Sequence, residues 1–309
     1  MTAAGLASGL EGRREGREWR CRCPVHGGRS LSITEKDGRL LLVCRAGCPQ
    51  GDVIKAIRDM GLWGNSHGYE KISPPAAPGA KDEEERQRRI DKGDDLWDES
   101  HPIEPGDPVH RYLAGRGITL ESWPKDLRCH PSLPYWQVDD RGKPVKTGAF
   151  PAMIAVVRSP EGRSVGLHRT WVRHDGLGKA PVVAPKKIYK VHDMTGGAVR
   201  LFPPEDGLLG ICEGIEDALS ALILWNIPTW AALGTSGLIG FAPPEAVREL
   251  LIFADRDENG AGQKAAWELA DRMAETERAA RVLVPGDGSK DLNAYLLARR
   301  GANMQEIAR

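Results

Sequence analysis

Leu208-Leu209-Gly210-Ile211-Cys212-Glu213-Gly214-Ile215-Glu216-Asp217 is the stretch whose reading decides the fold. A short apolar run ends in an acid and a glycine, and a helical pattern over 217–225 follows. The cadence repeats downstream. Residues 229–233 read as a strand closed by Gly234. Leu251-Ile252-Phe253-Ala254 reads as a strand that runs into Asp255-Arg256-Asp257. Residues 281–284 read as a strand followed by a Gly-rich turn and Lys290-Asp291. Helices are expected over 244–250, 262–275 and 292–300. Alternating strands and helices predict a mostly parallel sheet flanked by helices, with any site at the carboxyl ends of its strands.

Each acid of interest follows a predicted strand: Glu213, with Asp217 four residues on; Asp255 and Asp257; and Asp291. Strand ends of one parallel sheet face a common edge, so these carboxylates should converge. Converging carboxylates repel unless a divalent cation neutralises them. Oxygen-only ligation favours Mg2+ or Mn2+. Glu213, Asp255 and Asp257 are the expected core of that site.

Working outward, the chain has 309 residues, enough for about two domains. Its 43 Lys+Arg and 43 Asp+Glu cancel, which excludes a uniformly basic nucleic-acid coat and a strongly acidic tail protein. No run of 18 apolar residues exists, so no membrane partner is expected. The first residues lack a basic flank, so a secretory signal is not expected either. The neutral total hides polarity. Residues 1–60 carry net +4, 61–140 net −6, 141–200 net +9 and 201–309 net −7. The +9 block suits a polyanion track and the −7 block suits bound cations, although the two could also dock by salt bridges.

Four of six cysteines lie before Gln50, which indicates a metal site in a reducing compartment. Cys23-Pro24-Val25-His26 and Cys44-Arg45-Ala46-Gly47-Cys48 give C-x2-H, a gap of 17 residues, then C-x3-C. A strand over 30–33, a turn at Lys36-Asp37-Gly38 and a strand over 40–43 would join these two knuckles as a hairpin. Four N/S ligands then surround a structural Zn2+. The unit is too small to be stable by apolar burial alone, so the metal would supply folding energy. Gly47 permits the tight turn that brings a backbone N–H to a thiolate. Cys21 is a fifth candidate, read as a bystander, and Cys129 and Cys212 read as small core residues.

Residues 64–80 are Gly/Pro/Ser-rich without periodicity and read as a linker; about 17 flexible residues span roughly 20–25 Å r.m.s.. Residues 81–99 read as a helix whose acids lead and whose arginines follow. A second helix is expected near Val109–Leu113, and residues 125–202 read as strands and turns. The expected partition is 1–63, a linker at 64–80, a mixed α+β basic part at 81–206, and the α/β domain at 207–309.

The order Glu-Gly…Asp at 213–217, Leu-Gly-Thr at 233–235, Asp-x-Asp at 255–257 and Lys-Asp at 290–291 resembles a Toprim domain. The N-terminal knuckles resemble the primase zinc ribbon. Leu96-Trp97, Arg111-Tyr112-Leu113, His168-Arg169-Thr170 and Pro185-Lys186-Lys187 are similar to the region before Toprim in phage and mobile-element primases. The resemblance implies a bacterial-type DNA primase making RNA primers from NTPs on a single-stranded DNA template, with a separate replicative helicase as partner, in the bacterial cytoplasm. It implies Glu213, Asp255 and Asp257 as metal-binding acids, supported by Asp217 and Asp291. It also implies Arg169 and Lys187 on a nucleotide-binding face, with Lys186, Arg173 and His168 beside them. Asn293 stands where the family often has a second Asp. Other readings are a Toprim nuclease or recombination mediator, and a non-catalytic DNA-binding adaptor. Toprim nucleases typically carry an ATPase, and the chain contains no G-x4-G-K-[S/T] motif.

Overall fold

The structure is a computed structural model. It describes residues 2–15, 18–36, 39–46, 48–63, 80–139 and 142–307. Residues 64–79 of the expected 64–80 linker, the turn residues Asp37 and Gly38, and Gly47 lie outside the described residues, and residue 80 opens a helix. The chain forms two compact units, Met1–Ala77 and Pro78–Arg309.

The first unit runs α1 (Ala3–Gly9), β1 (Arg13–Glu15), β2 (Glu18–Cys21), β3 (Leu31–Lys36), β4 (Arg39–Cys44) and α2 (Gln50–Asp59). Its four strands are antiparallel in the order β1-β2-β3-β4. The hairpin and α2 match the sequence expectation. The helix α1 and the strands β1 and β2 were not expected, because β1 and β2 are short, charged and only one pleat deep. Thr2 caps α1 by accepting the Gly5 N–H at 3.2 Å. Leu6, Leu10, Leu31, Ile33, Val53 and Ile57 form the core. Cys21 lies in that core and Leu31 is its ladder partner.

The second unit continues with α3 (Ala80–Asp98), β5 (His101–Pro102), α4 (Pro108–Gly115), β6 (Leu127–Val138), β7 (Pro144–Arg158), β8 (Ser164–Trp171), β9 (Lys186–Lys190) and β10 (Ala198–Val199). It ends with β11 (Leu208–Cys212), α5 (Ile215–Trp225), β12 (Thr229–Ala231), α6 (Thr235–Gly240), β13 (Glu249–Phe253), α7 (Ala261–Glu275), β14 (Ala279–Leu283) and α8 (Leu292–Ile307). Strands β14, β13, β11 and β12 are parallel neighbours. Strand β10 pairs antiparallel with both β12 and β7, so one sheet runs from the parallel quartet into the antiparallel strands.

Period-two alternation places two helix layers on the quartet. Leu250 and Ile252 of β13 pack with Ala265, Ala266 and Leu269 of α7. Leu251 and Phe253 point the other way, into a cluster with Ile215, Ala218 and Leu219 of α5 and Leu292 and Leu296 of α8. Val109, Tyr112 and Leu113 of α4 join that second cluster, which ties the basic part to the quartet.

One expectation fails. Residues 244–250 are not a helix; the helix is α6, and β13 begins at Glu249. Pro243 and Pro244 supply no N–H. The nearby backbone pairs with other loops instead: Ala242 N–H donates to Gly196 O, and the Arg248 and Glu249 N–H groups both donate to Gly207 O. Among the described residues, no helix is long and apolar enough to cross a membrane.

Candidate active site

The carboxyl ends of β11, β13 and β14 place the predicted acids together. Glu213 follows β11, and Gly214 then opens α5. Asp217 sits in the first turn of α5 and its Oδ1 accepts the Asn293 N–H at 3.0 Å. Asp255 follows β13. Arg256 turns away, and its backbone N–H donates to Lys290 O while its side chain donates to Pro285 O at 2.7 Å. These two bonds clamp the loop after β13 to the loop after β14. Asp291 caps α8, its Oδ1 accepting the Ala294 N–H at 2.8 Å. Glu213, Asp217, Asp255 and Asp291 line one cavity of 640 Å3.

Asp257 approaches from the side, its Oδ2 accepting the Gly262 N–H at 3.0 Å in the first turn of α7. Only glycine fits there: a Cβ on residue 262 would stand 2.7 Å from Glu213 Oε1 and 3.1 Å from Asp257 Oδ2. The two carboxylates thus converge over a helix end with no side chain between them.

The electrostatics are those of acids without enough countercharge. Burial, then Asp291 and Asp255, pushes Asp217 up to about 7. Burial, then Glu213, Asp291 and Asp257, pushes Asp255 up to about 7. Glu213 is raised by burial, Asp257 and Asp217. Glu213 Oε1 is buried without a hydrogen-bond partner. An unpartnered buried carboxylate oxygen beside two other acids suits a divalent cation. Asn293 is not free to join them. Its Oδ1 accepts from Arg116 at 2.7 Å, and its Nδ2 donates to Arg116 O and Ser220 Oγ.

Cations share the cavity wall: Arg116, Lys179, Lys186, Lys187 and Lys290, the last close enough to Asp255 to offset part of its repulsion. Lys179 is pulled down by burial and by the nearby charge of Lys186, so like charges crowd there. Glu216 organises this wall. It is buried and accepts from Tyr112 Oη at 2.8 Å and from Lys186 Nζ at 2.8 Å. Burial would raise it, but Lys186, Lys179 and Tyr112 hold it at about 2. His168 also lines the cavity; burial and Lys186 pull it down to about 4, so it is neutral. Sequence reasoning missed Glu216 and Lys179. Neither belongs to a spaced motif, and only the fold brings residue 216 to residues 112 and 186.

The expected nucleotide-binding residues divide between two faces. In the β8–β9 ladder Arg169 stands opposite Lys187, and Thr170 opposite Lys186. Directly opposed residues share a face, and successive residues alternate. Lys186 and His168 therefore face the acids, whereas Arg169 and the Lys187 ammonium lie on the reverse face. There Arg169 sits 5.0 Å from the Trp171 ring and 5.5 Å from the Tyr189 ring. Lys187 Nζ stands over Tyr135 at 4.0 Å and donates to Trp136 O at 2.7 Å. Trp171 is a core residue there, 1% exposed. Arg173 is exposed on a turn, paired with Asp175, and does not line the cavity.

In the first unit, the ligand atoms of Cys23, His26, Cys44 and Cys48 all lie within 4.8 Å of one another. His26 Nδ1 is 3.1 Å from Cys48 Sγ and 3.8 Å from Cys44 Sγ. Ser30 Oγ holds His26 Nε2 at 2.9 Å, which leaves Nδ1 for a metal. Burial raises the Cys44 thiol, but hydrogen bonds from Ser30 and the backbone of Cys48 and Ala46 outweigh it and lower its pKa. Three sulfurs and an imidazole nitrogen at this spacing fit Zn2+. Cys21 is outside the set.

Comparison with known proteins follows the same division. Residues 87–201 match the family model described as a domain of unknown function, DUF7146. Residues 208–302 match the model of the Toprim domain. No curated protein matches the chain. Similar solved structures include a DNA primase domain from Pseudomonas aeruginosa, at 16% identity and a TM-score of 0.42 over 63% of this chain and 69% of that one. Another is the zinc-binding and RNA polymerase domains of the Aquifex aeolicus primase, at 16% identity and a TM-score of 0.44 over 99% of this chain and 82% of that one. A third is the primase fragment of the bacteriophage T7 primase-helicase protein, at 17% identity and a TM-score of 0.37 over 63% and 68%. The acids at 213–291 stand on strand ends within the residues that match the Toprim model: the C-terminal region of this chain is a Toprim domain, and the chain also carries a zinc-ribbon-like Cys/His cluster near its N-terminus.

Proposed function

We propose that the chain is a DNA primase that joins ribonucleoside triphosphates into short RNA primers on single-stranded DNA. One observation carries the reading: a cluster of acids and a set of cations line a single 640 Å3 cavity in a unit that ends in a Toprim domain. Glu213, Asp255 and Asp257 are the ligands we assign to Mg2+ or Mn2+, with Asp217 and Asp291 in support. Divalent cations bound there would activate the attacking 3′-hydroxyl and offset charge on the leaving pyrophosphate.

The remaining work falls to side chains. Arg116, Lys179, Lys186 and Lys290 bind and orient the triphosphate. Arg116 suits bidentate phosphate contact and the lysines act as point charges. Glu216 fixes Lys186 by a buried ion pair, so the ammonium is already placed when substrate arrives. Neutral His168 adds a polar wall without a further charge. Arg169 and Lys187, on the reverse face of the β8–β9 ladder, serve the template rather than the triphosphate. The zinc ribbon of residues 1–63 clamps template DNA, residues 81–206 form the basic part of the polymerase core and 207–309 its metal-binding part. The resemblance to bacterial-type primases implies a separate replicative helicase as partner, in the bacterial cytoplasm.

The test is primer synthesis on mixed-sequence single-stranded DNA with labelled NTPs and Mg2+ or Mn2+, with an Asp255→Ala/Asp257→Ala double variant alongside. Short oligomers from the wild type alone support the reading. Metal-dependent cutting of the template would replace it with a nuclease.

A further inference from the structure

His101 on β5, Asp107 at the start of α4 and Cys129 on β6 bring one nitrogen, one oxygen and one sulfur within 4.8 Å of one another. None of the three lines the acid cavity. The backbone builds the cluster from both ends. His101 and Cys129 are direct ladder partners, so their side chains share a face of the sheet. The loop that leaves β5 turns back through Gly106, at φ +93°, and returns Asp107 to the same place. Asp107 Oδ2 accepts the Glu104 N–H at 2.8 Å and stands 3.7 Å from His101 Nδ1. The Asp107 and His101 side chains are 19% and 40% exposed, while Cys129 is 1% exposed. The site has a buried sulfur floor and an open polar side.

We propose that His101, Asp107 and Cys129 form a second transition-metal site, selective for Zn2+, with water in the fourth position. The donor set is borderline-soft and N/O/S, the choice of zinc over magnesium or calcium. Three protein ligands and one open side match a solvent-accessible zinc centre rather than a closed structural one. A thiolate and a carboxylate together cancel the charge of the ion. Binding exchanges the Cys129 thiol proton for the metal and releases one proton to solvent. His101 Nδ1 also gives up its 2.8 Å bond to Pro102 O. The ribbon offers four protein ligands and this site three, so the second ion binds more weakly.

The site has a structural consequence. Asp107 precedes α4, and α4 carries Tyr112, bonded to Glu216, while Arg116 at its end is bonded to Asn293. Zinc here would staple the start of that helix to β6. The inference does not depend on the primase reading.

The test uses the full chain, stripped of metal. Wild type should take up two Zn2+ per chain, and His101→Ala, at a half-exposed position, should take up one. A ribbon variant, Cys44→Ser/Cys48→Ser, should still bind one Co2+ with a thiolate-to-cobalt charge-transfer band. That band should vanish when Cys129→Ser is added. Zn2+ should raise the melting temperature of the ribbon variant by several degrees, and His101→Ala should remove the rise. The wild-type affinity of the second ion should be at least tenfold weaker than the first. One equivalent in both wild type and His101→Ala, or a ribbon variant without the charge-transfer band, would overturn the proposal.

Discussion

Asp255 stores the tension of the site. Its carboxyl is pushed up to about 7 by burial and by Glu213, Asp291 and Asp257. A folded value above the ordinary 3.8 means that ionisation opposes folding, so this contribution costs stability as pH rises from about 4 through 7. Asp255→Asn removes the repulsion. We expect the metal-free variant to be more stable than wild type by about 1–2 kcal/mol at pH 8, allowing for solvent screening of a partly exposed group. Its melting temperature should no longer rise with Mg2+, whereas the wild type should gain as the cation binds. Equal metal-free stability of the two proteins would remove the electrostatic account. His168 behaves in the opposite sense. Its folded value near 4 lies below the unfolded 6.5, so between those values the unfolded chain binds more protons and stability falls as pH falls. The full effect is at most about 3 kcal/mol. Urea midpoints of wild type and His168→Gln, measured from pH 4 to 7, should converge toward the acid end. Parallel curves would mean that His168 titrates alike in the folded and unfolded chain.

At the scale of the element, the β8–β9 ladder decides which basic residues can act together. Lys186 and Lys187 are neighbours in sequence, yet one ammonium meets Glu216 and the other stands over Tyr135. Lys186→Gln should raise the KM for NTPs at least tenfold and cost about 2 kcal/mol of stability, because the buried Glu216 loses its bonded cation and keeps only the Tyr112 hydroxyl and the nearby charge of Lys179. Lys187→Gln should spare the KM and weaken template binding instead. Equal effects on KM would show that both lysines reach the triphosphate. Periodicity could not reveal this division, since a Lys-Lys pair reads the same on either face until register is known. The acids were legible for the opposite reason. Each follows an apolar run, and a parallel sheet sends all such ends to one edge, so Glu213, Asp217, Asp255 and Asp291 could be grouped before any coordinates. Glu216 was illegible because its partners lie 104 and 30 positions away in sequence. The expected helix at 244–250 failed through backbone chemistry: a favourable composition cannot overcome two prolines and N–H groups already claimed by the Gly196 and Gly207 carbonyls.

For the whole molecule, the division into Met1–Ala77 and Pro78–Arg309 separates two sources of stability. The first unit has a small apolar cluster, and its Cys23, His26, Cys44 and Cys48 sit at ligand spacing. Structural zinc in sites of this size supplies on the order of 10–16 kcal/mol of apparent binding energy, which is folding energy when the unfolded chain has no site. The second unit rests on one continuous sheet with helices packed on the faces of its parallel quartet, and its larger clusters do not depend on the ribbon. A strong chelator should therefore unfold the first unit alone. Amide hydrogen exchange should show residues 20–60 losing protection while β11, β13 and α5 stay protected. Loss of a weaker zinc at Cys129 should lower the melting temperature of the second unit without unfolding it. The ribbon should refold on readdition of Zn2+ and not of Mg2+, because thiolates and imidazole discriminate between the two ions. Simultaneous loss of protection in β2–β4 and in β11–β13 would mean that the two units fold as one, and the assignment of separate roles to ribbon and core would fall with it.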